Sequence, residues 1–279
     1  MVHCPVWPIE ASSVRTGAVD VSGSNESTAF AVPRQGDKPA NQDLRARRTM
    51  ERRLRSAIDD GGLQVHYQPL VELPSGRVTG VEALARWDDE QLGSVPPDLF
   101  IPLAETTGLI IDLGRWVLNT ACAQAATWQG TDSDVPGPTV AVNVSPLQLT
   151  ESTFIQDVID ALSASGLPAH RLCIEITETA AISDMEKTAR VLAQLRDLSI
   201  QIALDDFGTG HSSLTMLRRL PVTLVKIDRS FVTQIATDAQ DAVLVRLIID
   251  AAHSLGMRVC AEGTWLGSLQ DRAHTVGCQ

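Results

Sequence analysis

The chain has 279 residues, 44% of them hydrophobic, and carries 23 Lys+Arg against 34 Asp+Glu for a formal net charge of -11. That apolar content can fill a sizeable core and excludes wholesale disorder. Residues 61–279 hold 14 Lys/Arg against 26 Asp/Glu, which excludes non-specific binding to duplex nucleic acid; a phosphate substrate stays open, because bound metal ions can reverse the local sign.

Residues 1–40 are rich in Ser, Gly and Pro with little periodicity, and are expected to form a disordered leader. A basic helix is predicted over 41–60, with Leu44, Met50, Leu54 and Ile58 at roughly helical spacing. Its arginines (Arg45, Arg47, Arg48, Arg52, Arg53, Arg55) could meet an acidic partner, although a solvated helix face is the simpler reading.

The remainder, 61–279, reads as one domain in which short β-like runs alternate with helices. Strands are predicted over 63–71, 78–87, 139–144, 172–177, 201–205, 223–228 and 258–262. Pro74-Ser75-Gly76 splits the first two and predicts a hairpin. Helices are predicted over 152–165, 184–198 and 230–255, with Gly166 and Gly256 placed as C-caps. This alternation implies βα units and a mostly parallel sheet, one strand short of a closed eight-stranded barrel.

The five cysteines form no CxxC pair, the N-terminus has no apolar signal segment, and no apolar run reaches 18 residues. A reducing cytoplasmic setting without disulfides or a membrane span is therefore expected.

Polar residues recur where the predicted strands end: Asn143, Glu175 and Glu178, Asp205 and Asp206, Lys226 and Asp228, and Glu262. Glu82 and Arg86 lie four apart on one face of the second strand. In a βα barrel such ends build a single rim, so residues from 82 to 262 can converge without any local motif. Carboxylates crowded about 5 Å apart repel by about 3 kcal/mol per pair at an effective dielectric of 20. Hard cations relieve that, and oxygen donors suit Mg2+ or Mn2+. Two such ions bridged by a carboxylate are a common device for phosphodiester hydrolysis, and Lys226 would add a compact positive charge. Any one of these acids alone is more often a helix cap or a solvated loop residue; the joint pattern carries the reading. The six histidines show no metal-ligand spacing, and His211 is at most a site-edge contact.

Glu82-Ala83-Leu84, Asn143-Val144-Ser145, Glu175-Ile176-Thr177-Glu178, Asp205-Asp206-Phe207-Gly208-Thr209-Gly210, Lys226-Ile227-Asp228 and Ala261-Glu262-Gly263, in this order, resemble the EAL domain family. Tyr67-Gln68-Pro69, Ala85-Arg86-Trp87 and the run from Phe100 to Glu105 add to the resemblance, which covers about residues 50–279. It implies a TIM-like barrel with one antiparallel strand and an activity that opens cyclic di-GMP to linear pGpG with two Mg2+ or Mn2+ ions. By the same resemblance, Glu82, Asn143, Glu175 and Asp205 would hold one ion, and Asp205 and Asp206 the second. Lys226 would position the attacking water, with Glu262 as a metal ligand or base. Glu178 would anchor the loop beginning at Asp206, Asp228 would orient Lys226, and Gln68, Leu84 and Arg86 would touch substrate. A homodimer is a further implied property. The chain departs from the family pattern at Trp265, where a second glutamate is usual, and at His211, where a tyrosine is usual. It also reaches Gln279 before the family's last strand and closing helix. A catalytically silent module binding cyclic di-GMP or a protein is the competing reading.

Overall fold

The computed structural model describes residues 39–73, 75–128, 137–209, 214–234 and 239–262. Most of the expected leader, His211 and Trp265 lie outside them. Helix α1 (Pro39–Asp60) turns Leu54 and Ala57 inward. Arg53 on the same helix pairs with both carboxylate oxygens of Asp89 at 2.7 Å.

Strands β1 (Leu63–Val71) and β2 (Val78–Asp89) form the expected hairpin, in a register that sets Gln68 opposite Glu82. Beyond Ala83, β2 outruns its other neighbour and instead pairs with β3 (Gly93–Val95), a strand the sequence did not reveal. The Asp89 carboxylate accepts from the Gln91 and Leu92 N–H groups, both at 2.9 Å, which turns the chain into that short strand.

Helices α2 (Pro97–Thr107) and α3 (Ile110–Ala126) follow, neither of them predicted. Pro102 inside α2 spoils its helical signature, yet Phe100, Leu103 and Ala104 are buried at helical spacing. In α3 the stripe Ile110, Leu113, Val117, Ala121 and Ala125 keeps the helical period and is buried throughout.

The chain then alternates through β4 (Thr139–Asn143), α4 (Pro146–Thr150), α5 (Phe154–Ser165), β5 (Leu172–Thr177), α6 (Glu178–Ser183), α7 (Met185–Asp197), β6 (Gln201–Phe207), α8 (Leu214–Arg219), β7 (Leu224–Ile227), α9 (Arg229–Gln234), α10 (Ala239–Ser254) and β8 (Arg258–Ala261). Within the helix expected over 230–255, the described residues form helix over α9 and α10, and residues 235–238 lie outside the described set. Gly166, at φ 70°, caps α5 in the left-handed region as expected.

The strand order is β1-β2-β4-β5-β6-β7-β8, with β3 against β2. β1 runs antiparallel to β2, whereas β2 and every later strand in this path pair in parallel. The result is a curled TIM-like sheet with helices packed on its outside. Among the described residues β1 and β8 are the ends of the path, and no helix is long and apolar enough to cross a membrane.

Side chains alternate across each strand. Val140, Val142, Leu172, Ile174, Ile202, Leu204, Val225 and Ile227 belong to the main core with the helices. Ala141, Cys173, Ala203 and Leu224, with Cys260 packed against them, form a separate and smaller apolar cluster on the opposite, inner face. Two residues further along the same strands come Asn143, Glu175, Asp205, Lys226 and Glu262. The strand period thus stacks a polar layer directly on a floor of apolar side chains.

Candidate functional site

Lys226 lies at the centre of the polar layer, with only 1% of its surface exposed. Its Nζ reaches Glu262 Oε1 at 2.8 Å, Glu175 Oε2 at 2.9 Å, Glu82 Oε2 at 3.1 Å and Asp205 Oδ1 at 3.2 Å. These four carboxylates come from β2, β5, β6 and the residue after β8. The Asn143 carboxamide, at the end of β4, donates from Nδ2 to Glu82 Oε1 at 2.8 Å.

Burial alone would lower the Lys226 pKa, but Glu175, Asp205, Glu82 and Glu262 together outweigh it and raise the value, so the ammonium stays charged. Glu175 is fully buried and pushed up to about 8 by desolvation, with the Glu82 and Asp205 charges adding and Lys226 opposing. Desolvation likewise pushes Glu262 up to about 7. Asp206 is raised by burial and by the charges of Asp205 and Asp228. One ammonium is too little positive charge for this many acids.

Two sets of three carboxylates could each hold an ion, with ligand atoms within 4.8 Å of one another: Glu82, Glu175 and Asp205, and Asp205, Asp206 and Glu262. Asp205 belongs to both. Among the described residues, buried Glu175 Oε1 has no hydrogen-bond partner; an uncompensated acceptor in an all-oxygen donor set fits a hard divalent cation.

At Asp206 the backbone takes φ 55°, a left-handed conformation that Asp tolerates better than most residues. That turn, at a register shift between β6 and β7, brings adjacent acids into one set; Asp205 Oδ1 accepts from the Asp206 N–H at 3.0 Å. Gly208 follows at φ 110°, where a Cβ would lie 2.6 Å from the Phe231 ring.

A cleft of about 490 Å3 opens beside the acids, lined by Leu84, Arg86, Asn143 and Asp206 from the sequence-derived set. Its walls also include faces of α2 and α3, among them Ile101, Glu105, Leu113 and Gly114. Sequence reading gave these walls no site role, although the run from Phe100 to Glu105 figured in the resemblance, because it missed the helices. Arg86 donates to the neighbouring Ala85 carbonyl at 2.8 Å and forms no ion pair among the described residues. Gln68 is exposed on β1 opposite Glu82, outside the cleft lining. Glu178 is buried at the first position of α6, directly after β5.

Among the described residues Asp228 forms no ion pair with Lys226. β7 ends at Ile227, and the Asp228 carboxylate turns to accept from the Ser230 N–H at 2.9 Å, at the start of α9. Burial acts to raise its pKa, but the Ser230 and Arg229 hydrogen bonds prevail and lower it. The acids that hold Lys226 are the four named above.

A family model described as the EAL domain matches residues 51–278. The chain is 40% identical over 225 residues to the bifunctional diguanylate cyclase/cyclic di-GMP phosphodiesterase MucR of Pseudomonas aeruginosa, covering 81% of this chain and 33% of that protein. It is 39% identical over 239 residues to the oxygen sensor protein DosP of Escherichia coli, covering 86% and 30%. Among solved structures, the MucR phosphodiesterase in complex with c-di-GMP aligns with TM-score 0.76 and 39% identity, over 83% of this chain and 93% of that one. EAL enzyme Bd1971 with cAMP and cyclic di-GMP bound aligns with TM-score 0.79 and 31% identity, over 86% and 65%. The chain spans about a third of the length of these curated relatives. It belongs to the EAL domain family.

Proposed function

We propose that this chain hydrolyses one phosphodiester bond of cyclic di-GMP to give linear pGpG, with two Mg2+ or Mn2+ ions held by its carboxylates. The observation that carries the reading is the pair of three-carboxylate sets sharing Asp205 around buried Lys226. The relative named as a cyclic di-GMP phosphodiesterase supports the substrate.

Glu82, Asn143, Glu175 and Asp205 would hold one ion; Asp205 and Asp206, with Glu262, would hold the other. Ions there would supply Lewis acidity to the phosphodiester and acidify an attacking water. Glu262, on the rim of the set, would hold an ion or accept the water's proton. As the water oxygen bonds to phosphorus, the bond to the departing ribose oxygen breaks, that oxygen takes a proton from solvent, and negative charge builds on the phosphoryl oxygens in the transition state. Lys226, rigid among its four partners, meets that charge without reorganisation. Arg86 on the cleft wall is suited to a substrate phosphate, and Leu84 and Gln68 to flanking contacts. Glu178 would brace the Asp206 turn. A reducing cytoplasm is the proposed setting, supported by free thiols at Cys122, Cys173 and Cys260.

The test is incubation of folded protein with cyclic di-GMP and Mn2+, with chromatographic detection of pGpG. Product that disappears with EDTA is expected. Binding by calorimetry without any product would leave the silent module as the reading.

A further inference from the structure

Asn143 is the last residue of β4, and what fixes the chain beyond it is a polar network that no catalytic role absorbs. The Val144 N–H donates to the Glu175 carbonyl at 2.9 Å. Ser145 then caps α4: its Oγ accepts from the Leu147 N–H at 3.4 Å, and its own N–H donates to Gln148 Oε1 at 3.1 Å. The Ser145 hydroxyl donates in turn to Glu105 Oε1 at 2.7 Å, reaching across to α2. α4 has only five residues, too few to be stable alone, so its position depends on these outside contacts.

The network has a third anchor. Gln148 is buried, and its carboxamide lies against Gly114 in the middle of α3, where a Cβ would come within 2.5 Å of Gln148 Cδ. Glycine inside a helix costs about 0.5–1 kcal/mol relative to alanine. Its presence at 114 is explained by the room that Gln148 needs.

We infer that Glu105 is a positioning residue for the acidic centre: with Ser145, Gln148 and Gly114 it ties α2 and α3 to the β4–α4 turn and so holds Asn143 against Glu82. Residues that orient metal ligands typically change metal affinity 10- to 100-fold when removed. The inference rests on the proposed function in one respect, that Asn143 and Glu82 hold a cation.

The test uses the whole chain and the variants Glu105→Ala, Glu105→Gln, Ser145→Ala and Gly114→Ala, each titrated with Mn2+. Two quantities are read: the Mn2+ half-saturation of pGpG formation and the Mn2+-induced rise in melting temperature. Glu105→Ala should raise the half-saturation about 10- to 100-fold and shrink the thermal shift. Glu105→Gln, which still accepts from Ser145, should restore most of the wild-type response. Gly114→Ala should reproduce the Glu105→Ala effect from the opposite side by displacing Gln148; the overpacking costs about 1–3 kcal/mol, which alanine's helix gain of about 0.5–1 kcal/mol only partly offsets. A Glu105→Ala/Ser145→Ala double variant should be no worse than Ser145→Ala alone, since the two changes remove one shared bond. Wild-type Mn2+ dependence in Glu105→Ala and Gly114→Ala, or equal impairment in Glu105→Gln and Glu105→Ala, would overturn the inference. A wild-type chain without any Mn2+ response would instead overturn the reading of the acidic centre, and the inference with it.

Discussion

Glu175→Gln separates what the acidic centre does for folding from what it does for a cation. At an effective dielectric of 20, Glu175 attracts Lys226 across 2.9 Å by about 6 kcal/mol. It is repelled by Glu82 and Asp205, whose ligand atoms lie within 4.8 Å, by about 3.5 kcal/mol each. These contributions nearly cancel, and the burial of an ionised carboxylate with one unpartnered oxygen tips the sum against the charge. Glutamine keeps the shape and can still accept from Lys226. The metal-free fold should therefore change by no more than about 2 kcal/mol, in the stabilising direction. A cation loses one of three carboxylates and should bind at least about 100-fold more weakly. In the wild type, Mn2+ at 100 times its dissociation constant adds about 2.7 kcal/mol, or roughly 5–11 °C in melting temperature for a domain of this size. In the variant that shift should shrink to about 1 °C. Thermal melts of both proteins in EDTA and in MnCl2 give the answer. Severe loss of stability in EDTA, or an undiminished Mn2+ shift, would refute the reasoning.

Lys226→Met should act in the opposite way. It leaves four carboxylates without their shared ammonium, so the metal-free midpoint in urea should fall by the equivalent of about 3–5 kcal/mol, and turnover should drop by about 100- to 1,000-fold; a variant as stable as wild type in EDTA would contradict the buried ion pairs. The pH dependence follows from Glu175 at about 8 and Glu262 at about 7, both raised from 4.5. Between those values the metal-free folded state holds protons that the unfolded chain has released. Stability present below pH 4.5 is therefore lost as pH rises through 7 to 8. Urea melts in EDTA at low and high pH should show this fall, Mn2+ should stabilise more at the higher pH, and a metal-free stability that rises across the window would count against the assignment. Arg86→Ala should raise KM for cyclic di-GMP by about 10- to 100-fold, since a charged hydrogen bond is worth about 1.5–3 kcal/mol. The Mn2+ thermal shift should be untouched; its loss would place Arg86 in the metal site instead.

Much of this architecture is legible in the chain because β-strand alternation is local. The runs 63–71 and 172–177 have the observed bounds of β1 and β5, and the turn at Ser75-Gly76 announces the hairpin. Helix α2 escaped notice because Pro102 interrupts its signature, and α3 because apolar residues off its buried stripe, such as Ile111 and Trp116, blur the contrast between its faces. β3 is three residues long and is held by Trp87 against Val95, a pairing with no local signature.

Sequence alone determined which residue types end each strand, and hence the chemistry available: carboxylates, one carboxamide and one lysine. Only the tertiary structure decided how they meet. Sheet register sets Asn143 beside Glu175 and Thr177 beside Asp205, and a slip of one residue would turn every one of those side chains to the other face. The left-handed turn at Asp206 makes two adjacent acids share one set, and Asp228, one residue past β7, accepts from the Ser230 N–H at the start of α9. Gly114, mid-helix and unremarked in the sequence, has a purpose only beside Gln148, 34 positions away in the chain. Residue type and period are properties of the chain, whereas convergence of distant strand ends depends on how the sheet curls. The acidity that first argued against a polyanionic partner is, at its centre, a site for positive charge.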